Sequence, residues 1–313
     1  MKKIKLLVTG GSGFLGQHIL PALPSKYTIY NLQSDLRDYG KVEKEIKDVN
    51  PNIILHLAAR TEVEKSFYEQ MTFSEVNYNG TVNLIESARK HCTNLINFVF
   101  ARTMEVYGWQ PISDEVDKNG KPVDFIAFDE NTPANPNAPY AVAKLAAEKY
   151  LEYAGRAYGL PYTALRQTNC YGRKDNDFFV MEQIITQMLK NSKEINLGYA
   201  APYRNFIYVD DMVDAWLTVI QNPDLVKNNV YTIGPNHPIQ IKELVQFIAN
   251  KLKWNGKINW DTKPERFGEI YWLNSNHDKI TKHTGWKPKV NLDVGIDRTI
   301  AHWKEKLNND GHK

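Results

Sequence analysis

A glycine-rich stretch near the start of the chain constrains the fold more than any other feature. It reads Val8-Thr9-Gly10-Gly11-Ser12-Gly13-Phe14-Leu15-Gly16 and lies between the apolar run Ile4–Val8 and a helical pattern. Its glycines let the backbone turn tightly, approach a pyrophosphate closely and pack a helix on a sheet, while the N–H groups and dipole of that helix favour an anion. The stretch predicts a phosphate-binding strand–turn–helix unit. Taken alone, it is equally typical of a tight turn in any α/β protein.

Short apolar runs alternate with segments of helical period along the first half of the chain. The runs are Ile4–Val8, Tyr27–Leu32, Ile53–Leu57, Leu95–Phe100 and Tyr162–Leu165. This alternation predicts an α/β fold with a doubly wound parallel sheet. In such sheets ligands bind at the carboxyl ends of the strands.

Length, charge and cysteine content narrow the class of protein. The chain has 313 residues, which favours one large domain with a smaller lobe. Its net charge of +3 is nearly balanced and its lysines are scattered, so neither nucleic acid nor a membrane is an expected partner. The first apolar run is too short for a signal peptide. Two cysteines, Cys92 and Cys170, are too few for a disulfide framework or a structural metal site, so we expect no metal and a cytoplasmic location.

A tyrosine and a lysine in the middle of the chain carry the candidate chemistry. Tyr140 and Lys144 lie four residues apart on a predicted helix, so both side chains project from one face. A tyrosine with an ordinary pKa of about 10 is a poor base at neutral pH, and a nearby ammonium lowers that pKa. Thr103 follows the strand Leu95–Phe100, where its hydroxyl can hydrogen-bond the same substrate oxygen. Singly, these residues are also typical of an amphipathic helix surface and a local turn bond.

Taken together, Thr9-Gly10-x-x-Gly13-x-x-Gly16, Thr103 and Tyr140-x-x-x-Lys144 resemble the extended short-chain dehydrogenase/reductase family, in particular its nucleotide-sugar epimerases and dehydratases. The resemblance covers nearly the whole chain. Further matching stretches, in order, are Asp35-Leu36-Arg37-Asp38, His56-Leu57-Ala58-Ala59, Asn77-x-x-Gly80-Thr81, Glu105-Val106-Tyr107-Gly108, the segment 204–211 and Thr284-Gly285-Trp286-Lys287-Pro288.

The resemblance implies a fold and an assembly. Residues 1–170 would form a Rossmann domain with a doubly wound parallel sheet, to which later segments add strands and helices. Residues 171–313 would form a smaller α/β substrate-binding lobe, and the chain would be a homodimer. Helices are predicted at 40–49, 73–90, 140–158, 179–189, 211–221, 241–252 and 292–306, and Pro21 is predicted to end or kink the first helix early.

The resemblance also implies roles for the cofactor site. Tyr140 would be the acid/base at a sugar hydroxyl, and Lys144 its electrostatic partner that also holds the nicotinamide ribose. The implied NAD-binding residues are Gly10, Gly13, Phe14, Leu15, Gly16, Asp35, Leu36, Leu57, Ala58, Ala59, Asn77, Tyr140 and Lys144. NADP stays open, because Asn31 and Gln33 stand where an acidic residue would bind the ribose of NAD.

For the substrate, the resemblance implies a nucleoside-diphosphate sugar whose base and sugar are not named by the sequence. Thr103 would bind the sugar. Arg204 and Arg266 resemble two arginines that hold the diphosphate, a task suited to a permanently charged donor fork. Asn169 resembles a residue that supports the same group. Arg266 is equally typical of a solvated loop.

The residues after Thr103 bear on the reaction. Met104 stands where dehydratases of thymidine-diphosphate glucose carry an aspartate, whereas Glu105 resembles the Thr-x-Glu of guanosine-diphosphate mannose dehydratases and uridine-diphosphate glucuronate decarboxylases. A purely structural carboxylate is the other interpretation of Glu105. The favoured function is an NAD-dependent epimerase that transiently oxidises C4. The alternatives are a 4,6-dehydratase with Glu105 as base, a decarboxylase, an NADPH-consuming 4-ketosugar reductase, and a non-catalytic cofactor-binding protein on the same fold.

A long polar connection, Trp109 to Asn131, exceeds what joining a strand to a helix requires. It contains a predicted hairpin turn at Asn119-Gly120. Because it leaves the strand end that presents Thr103, we expect it to lie near the sugar site.

Overall fold

The computed structural model of the chain describes residues 3–110, 126–262 and 268–310. The described residues form eleven strands: β1 Ile4–Thr9, β2 Tyr27–Asn31, β3 Ile53–His56, β4 Asn97–Thr103, β5 Tyr162–Gln167, β6 Asn169–Tyr171, β7 Glu194–Asn196, β8 Tyr203–Tyr208, β9 Asn229–Ile233, β10 Pro238–Gln240 and β11 Lys257–Asn259. They also form twelve α-helices: α1 Phe14–Ala22, α2 Tyr39–Val49, α3 Val63–Ser66, α4 Gln70–Ser74, α5 Gly80–His91, α6 Pro139–Tyr158, α7 Val180–Lys190, α8 Val209–Gln221, α9 Pro223–Val226, α10 Ile241–Leu252, α11 Asp278–Thr284 and α12 Leu292–Asp310.

A six-stranded sheet in the order β2-β1-β3-β4-β5-β9 organises the molecule, and each neighbouring pair in it is parallel. The predicted doubly wound parallel sheet is therefore confirmed. The strand order reverses between β1 and β3, which opens a crevice at their carboxyl ends. Strand β9 returns from the C-terminal part of the chain to pair with β5. The division into domains at residue 170 stays a prediction.

Successive residues of the central strands face opposite sides of this sheet. In β1, Leu6 and Val8 belong to one hydrophobic core, whereas Leu7 belongs to the other. The first core includes Trp216 of α8, and the second includes Leu151 of α6. Because helices cover both faces of the sheet, nearly every residue of the central strands is apolar. The strands therefore appear in the sequence as continuous apolar runs and could be predicted from it.

The bounds of the predicted helices agree closely with the observed ones, and one predicted helix differs in helix type. The predicted helix 73–90 consists of the end of α4, a π-helical turn at Glu75–Asn79, and α5. Pro21 lies in the last turn of α1, which ends at Ala22, so the predicted early end is confirmed.

The C-terminal part builds two small sheets beside the main one, β10-β8-β6 and β11-β7. Helices α7, α10 and α12 pack around them in a third hydrophobic core. None of the helices within the described residues is long and apolar enough to cross a membrane.

Two predicted features lie outside the described residues. They are Arg266 and most of the Trp109–Asn131 connection, including its Asn119-Gly120 turn. Hydrogen bonds hold the described ends of the connection. The backbone N–H of Trp109 donates to the carbonyl of Asn135 at 3.2 Å, and the indole N–H of Trp272 donates to the carbonyl of Ile126 at 2.8 Å.

Candidate active site

A cavity of about 740 Å³ opens over the carboxyl ends of the main strands and extends to the small sheets. It brings together most of the residues that the sequence predicted for the site. Those that line it are Gly10, Gly13, Phe14, Leu15, Gly16, Leu57, Ala58, Ala59, Thr103, Glu105, Tyr140, Lys144, Asn169 and Arg204.

The glycine-rich stretch forms one wall of the cavity between β1 and β3. Gly10 has φ +71°, and a Cβ there would lie 2.7 Å from the backbone nitrogen of Ala58, so a side chain would collide with the neighbouring strand end. A Cβ at Gly16 would lie 2.3 Å from the carbonyl oxygen of Gly11. Helix α1 therefore starts against the turn with its N-terminus at the cavity. This cradle fits a dinucleotide pyrophosphate.

The candidate catalytic pair meets at the centre of the cavity. Thr103 is the last residue of β4 and Tyr140 lies in the first turn of α6. Thr103 lies close enough to Tyr140 to lower the pKa of its phenol, and both residues are buried. Lys144 follows one turn later on the same buried face of α6. Thr103 and Lys144 are 41 positions apart in the sequence, and the fold brings both of them close to Tyr140.

Burial changes the pKa values of Tyr140 and Lys144 in opposite directions. Burial raises the pKa of the Tyr140 phenol to about 12, and the charge of Glu105 raises it further, whereas the Thr103 hydrogen bond and the charge of Arg102 lower it. Burial, aided by the charge of Arg102, holds the pKa of Lys144 well below its usual range. The lowering of the Tyr140 pKa by a Lys144 ammonium stays a prediction.

An aromatic ring supports Lys144 from the sheet side. The ammonium nitrogen lies 4.3 Å from the centre of the Phe100 ring, and the His56 ring stacks on Phe100 at 5.1 Å. Burial keeps the pKa of His56 well below its usual range, and Lys144 adds to this effect. His56 also bonds Thr9 and Thr81 at 2.7 and 2.9 Å, so it links β1, β3 and α5.

Glu105 and Met104 differ in their surroundings. The backbone N–H of Glu105 donates to the hydroxyl of Thr103 at 3.1 Å, and its carboxylate lies close enough to Tyr140 to raise the pKa of that phenol. Met104 is buried in an apolar cluster with Val106 and Tyr107. Met104–Tyr107 form a 3₁₀-helical turn, and Glu105 is its acidic residue and lines the cavity.

The predicted substrate residues lie at the other end of the cavity. Asn169 is half-buried on β6. Arg204 is buried on β8; its guanidinium donates to the carbonyl of Ile270 at 2.6 Å and pairs with Glu269. Arg204 of β8 and the segment that begins at residue 268 therefore both line this part of the cavity.

Three predicted cofactor residues lie outside the cavity lining among the described residues. Asp35 is exposed and paired with Arg37 at 2.6 Å, and the hydrogen bonds from Arg37 lower the pKa of Asp35 to about 2. Leu36 packs against Gly80. Asn77 accepts from the backbone N–H of Arg60 and donates to its carbonyl, both at 2.9 Å. Asn77 therefore shapes the loop after β3.

The sequence reasoning missed Arg173, a largely buried cation on the cavity wall. Its guanidinium lies 4.4 Å from the ring centre of Phe14 and 3.7 Å from that of Phe179. Its charge is partly balanced by Glu182 at 3.7 Å. A fixed guanidinium beside the glycine-rich stretch suits a phosphate. Arg173 directly follows Tyr171-Gly172, and this position could have indicated it as a site residue. The motif in this stretch was used only to predict Asn169.

The parallel sheet, the glycine cradle at its crevice and the Thr–Tyr–Lys cluster define a dinucleotide-binding protein of the short-chain dehydrogenase/reductase type. Residues 6–234 match the NAD dependent epimerase/dehydratase family, and the chain belongs to that family. The family assignment from sequence motifs is thus confirmed.

Relatives of known activity span nearly the full length of the chain. Human dTDP-D-glucose 4,6-dehydratase is 30% identical over 97% of this chain and 91% of the human protein. The UDP-glucose 4-epimerase of Thermotoga maritima, solved with UDP-glucose, is 25% identical with a TM-score of 0.80, over 97% of this chain and 100% of that one. The Thermus thermophilus UDP-glucose 4-epimerase complex with NAD is 25% identical with a TM-score of 0.78, over 96% and 99%. The family to which the chain belongs is NAD dependent, in agreement with the expected cofactor.

Proposed function

We propose that this chain is an NAD-dependent epimerase of a nucleoside-diphosphate sugar, acting at C4 by transient oxidation. The observation that carries the proposal is that Thr103, Tyr140 and Lys144 line one cavity, with Thr103 close enough to Tyr140 to lower the pKa of its phenol and Lys144 one helical turn away. Two hydroxyl groups that lie this close together can both hydrogen-bond a single substrate oxygen. Full-length similarity to two UDP-glucose 4-epimerases supports the same reaction.

In this reaction Tyr140 removes the proton of the C4 hydroxyl and later returns it, while Thr103 holds the same oxygen. When bound, NAD supplies a hydride acceptor, and its oxidised nicotinamide ring adds a positive charge. The stretch Gly10–Gly16 and the segment Leu57–Ala59 hold the cofactor. Lys144 holds the nicotinamide ribose.

The diphosphate end keeps the sugar bound between the two half-reactions. Arg204 and Asn169 line that end of the cavity, and a planar, permanently charged guanidinium suits a diphosphate. Binding energy from the unreactive nucleotide would retain the 4-keto sugar while its ring rotates, so that the hydride is returned to the opposite face of C4 and the reaction is redox-neutral. Arg266 completes this anchor in our proposal.

A 4,6-dehydratase is the second candidate, and Glu105 is the observation that favours it. Its carboxylate lies in the cavity near Tyr140, where it can act as a base. The human relative, which is 30% identical, is a dehydratase. Against this activity, Met104 is buried and cannot transfer a proton to a leaving hydroxyl.

One experiment separates these reactions. The purified protein with NAD is incubated with a panel of nucleoside-diphosphate hexoses, and the products are followed by NMR and mass spectrometry. An epimerase gives a product of unchanged mass with an inverted C4 signal and no net change in NADH absorbance. Loss of water indicates the dehydratase. In a parallel incubation with NADPH and a nucleoside-diphosphate 4-ketohexose, NADPH oxidation matching product formation indicates the reductase. Absence of all three across the panel overturns the proposal.

We also propose that the chain forms a homodimer through the face that α6 shares with α3 and α4. This face carries exposed apolar side chains: Tyr68, Met71, Val142 and Tyr153. Clustered apolar exposure of this kind is typical of a protein–protein contact.

A further inference from the structure

A glycine turn at the end of β6 precedes Arg173 at the cavity wall. Strand β6 ends at Tyr171, and Gly172 follows with φ +102°, a backbone conformation that residues with side chains rarely adopt. A Cβ at Gly172 would lie 2.9 Å from the Tyr208 ring, so this turn requires a glycine. The next residue, Arg173, lines the cavity together with Phe14 and the glycine-rich stretch.

Two aromatic rings fix the guanidinium of Arg173. Its central carbon lies 3.7 Å from the ring centre of Phe179 and 4.4 Å from that of Phe14, with which helix α1 begins. An aromatic ring contacts the flat face of a guanidinium, so the N–H groups remain free to donate at its edges. The side chain is 14% exposed and lies beside the N-terminus of α1, the part of the cavity that fits a diphosphate.

The protein itself satisfies this guanidinium only in part. Nη1 of Arg173 donates to the backbone carbonyl of Cys170. The Glu182 carboxylate lies 3.7 Å from the same nitrogen, which is beyond hydrogen-bonding distance. Glu182 instead accepts from the backbone N–H groups of Gly172 and Arg173, each at 2.9 Å. Within the described residues the guanidinium makes no other hydrogen bond, so its remaining N–H groups are available to a ligand.

Arg204, the buried arginine at the other end of the cavity, is more fully used by the protein. Its Nη1 donates to the carbonyls of Tyr203 and Ile270 at 2.9 and 2.6 Å, and its Nη2 pairs with Glu269 at 2.5 Å. A guanidinium that already has protein acceptors gains less from a phosphate than one that lacks them. Of these two arginines, Arg173 therefore has the larger unused hydrogen-bonding capacity.

We propose that Arg173 binds the diphosphate of a ligand in this cavity, with the N–H groups at its edges donating to phosphate oxygens. NAD and a nucleoside-diphosphate sugar both carry this group, and a permanently charged donor fork suits it. The Glu182 carboxylate stays hydrogen-bonded to the backbone when Arg173 contacts a phosphate, so this buried carboxylate keeps two donors. Binding of the sugar's diphosphate rests on the proposed function, whereas binding of the NAD diphosphate does not.

Equilibrium binding to the full chain tests the proposal without turnover. Calorimetry gives the Kd of NAD for the NAD-free protein, and the Kd of UDP, dTDP and GDP for the protein with NAD bound. In Arg173→Met, which keeps an apolar stem against the two rings, we expect the Kd of NAD, of the nucleoside diphosphates or of both to rise by about 10-fold or more, the usual effect of losing a charge-assisted hydrogen bond. Lys174→Met is the matched control, because it removes the same charge from the adjacent, exposed residue and should leave every Kd unchanged.

Nucleosides separate a phosphate contact from a general loss of structure. Adenosine and the nucleoside of the tightest-binding diphosphate lack phosphate, and their Kd values, measured by ligand-observed NMR, should not change in Arg173→Met. Arg173→Lys keeps the charge without the fork and should give Kd values between those of the wild type and Arg173→Met. Arg173→Gln, which is also uncharged, replaces Arg173→Met if the latter does not fold.

The pattern of the changes identifies the ligand. A rise confined to NAD assigns Arg173 to the cofactor, and a rise confined to the nucleoside diphosphates assigns it to the substrate. Unchanged Kd values for all diphosphates would overturn the inference, and so would an equal rise for the nucleosides. If no nucleoside diphosphate binds the wild-type protein, the NAD result alone decides. If no nucleotide sugar reacts but the Kd of NAD rises, the proposed function fails and the diphosphate role of Arg173 stands.

Discussion

At the scale of single residues, the proposed chemistry depends on the Tyr140 hydroxyl. Tyr140 is buried beside Thr103, and burial raises the pKa of its phenol to about 12. Tyr140→Phe removes the hydroxyl and leaves the ring packed against Phe73, whose centre lies 6.4 Å away. We expect kcat to fall by about 10²-fold or more, the usual scale for an acid/base group, with NAD affinity unchanged.

The control for this prediction is Tyr158→Phe, which removes a hydroxyl from the exposed end of the same helix. It should keep both turnover and cofactor affinity. NAD affinity is measured by calorimetry and turnover by NMR. Near-normal turnover in Tyr140→Phe would remove Tyr140 from the mechanism.

At the scale of secondary-structure elements, His56 ties the centre of the sheet to α5. It bonds Thr9 on β1 and Thr81 on α5, and burial keeps its pKa well below the usual range. The folded state therefore keeps His56 neutral, whereas the unfolded chain binds a proton below about pH 6.5. Because the unfolded state then binds more protons, the free energy of unfolding should fall as pH drops below about 6.5, by up to about 1.4 kcal/mol per pH unit from this group.

Urea unfolding of His56→Gln at pH 7.5, 6.5 and 5.5 tests this prediction. The variant is less stable at pH 7.5, since it disturbs two buried hydrogen bonds, but it loses less stability than the wild type on acidification. His237→Gln changes an exposed histidine and should keep the wild-type pH dependence. Equal slopes for the wild type and His56→Gln would show that His56 does not control the acid response.

At the scale of the whole molecule, the proposed dimer makes a simple prediction. Val142 is 51% exposed on α6, and a charge there should disfavour burial against a second copy. Analytical ultracentrifugation of Val142→Asp at micromolar concentration should show a monomer where the wild type is a dimer. Leu225→Asp is the control, because Leu225 is 53% exposed on α9, away from that face. A monomeric wild-type protein would make the homodimer expectation wrong.

The sequence by itself determined the features that depend on neighbouring residues. Strands buried on both faces appear as apolar runs, Gly10 marks a backbone that a Cβ would block, and four-residue spacing puts Tyr140 and Lys144 on one face of α6. These signals are local, so they could be recognised without the fold. They also supported the family assignment, which the match of residues 6–234 to the NAD dependent epimerase/dehydratase family confirmed.

The tertiary structure alone decided which charges lie near these residues. Nothing near Arg102 in the sequence indicates that β4 and β5 set it opposite Arg166, or that Glu148 lies between them. The pKa of Tyr140 rises rather than falls because burial and the charge of Glu105 outweigh the Thr103 hydrogen bond and the charge of Arg102. Desolvation and Coulomb interactions act across space, so their sign follows from packing that no local pattern records.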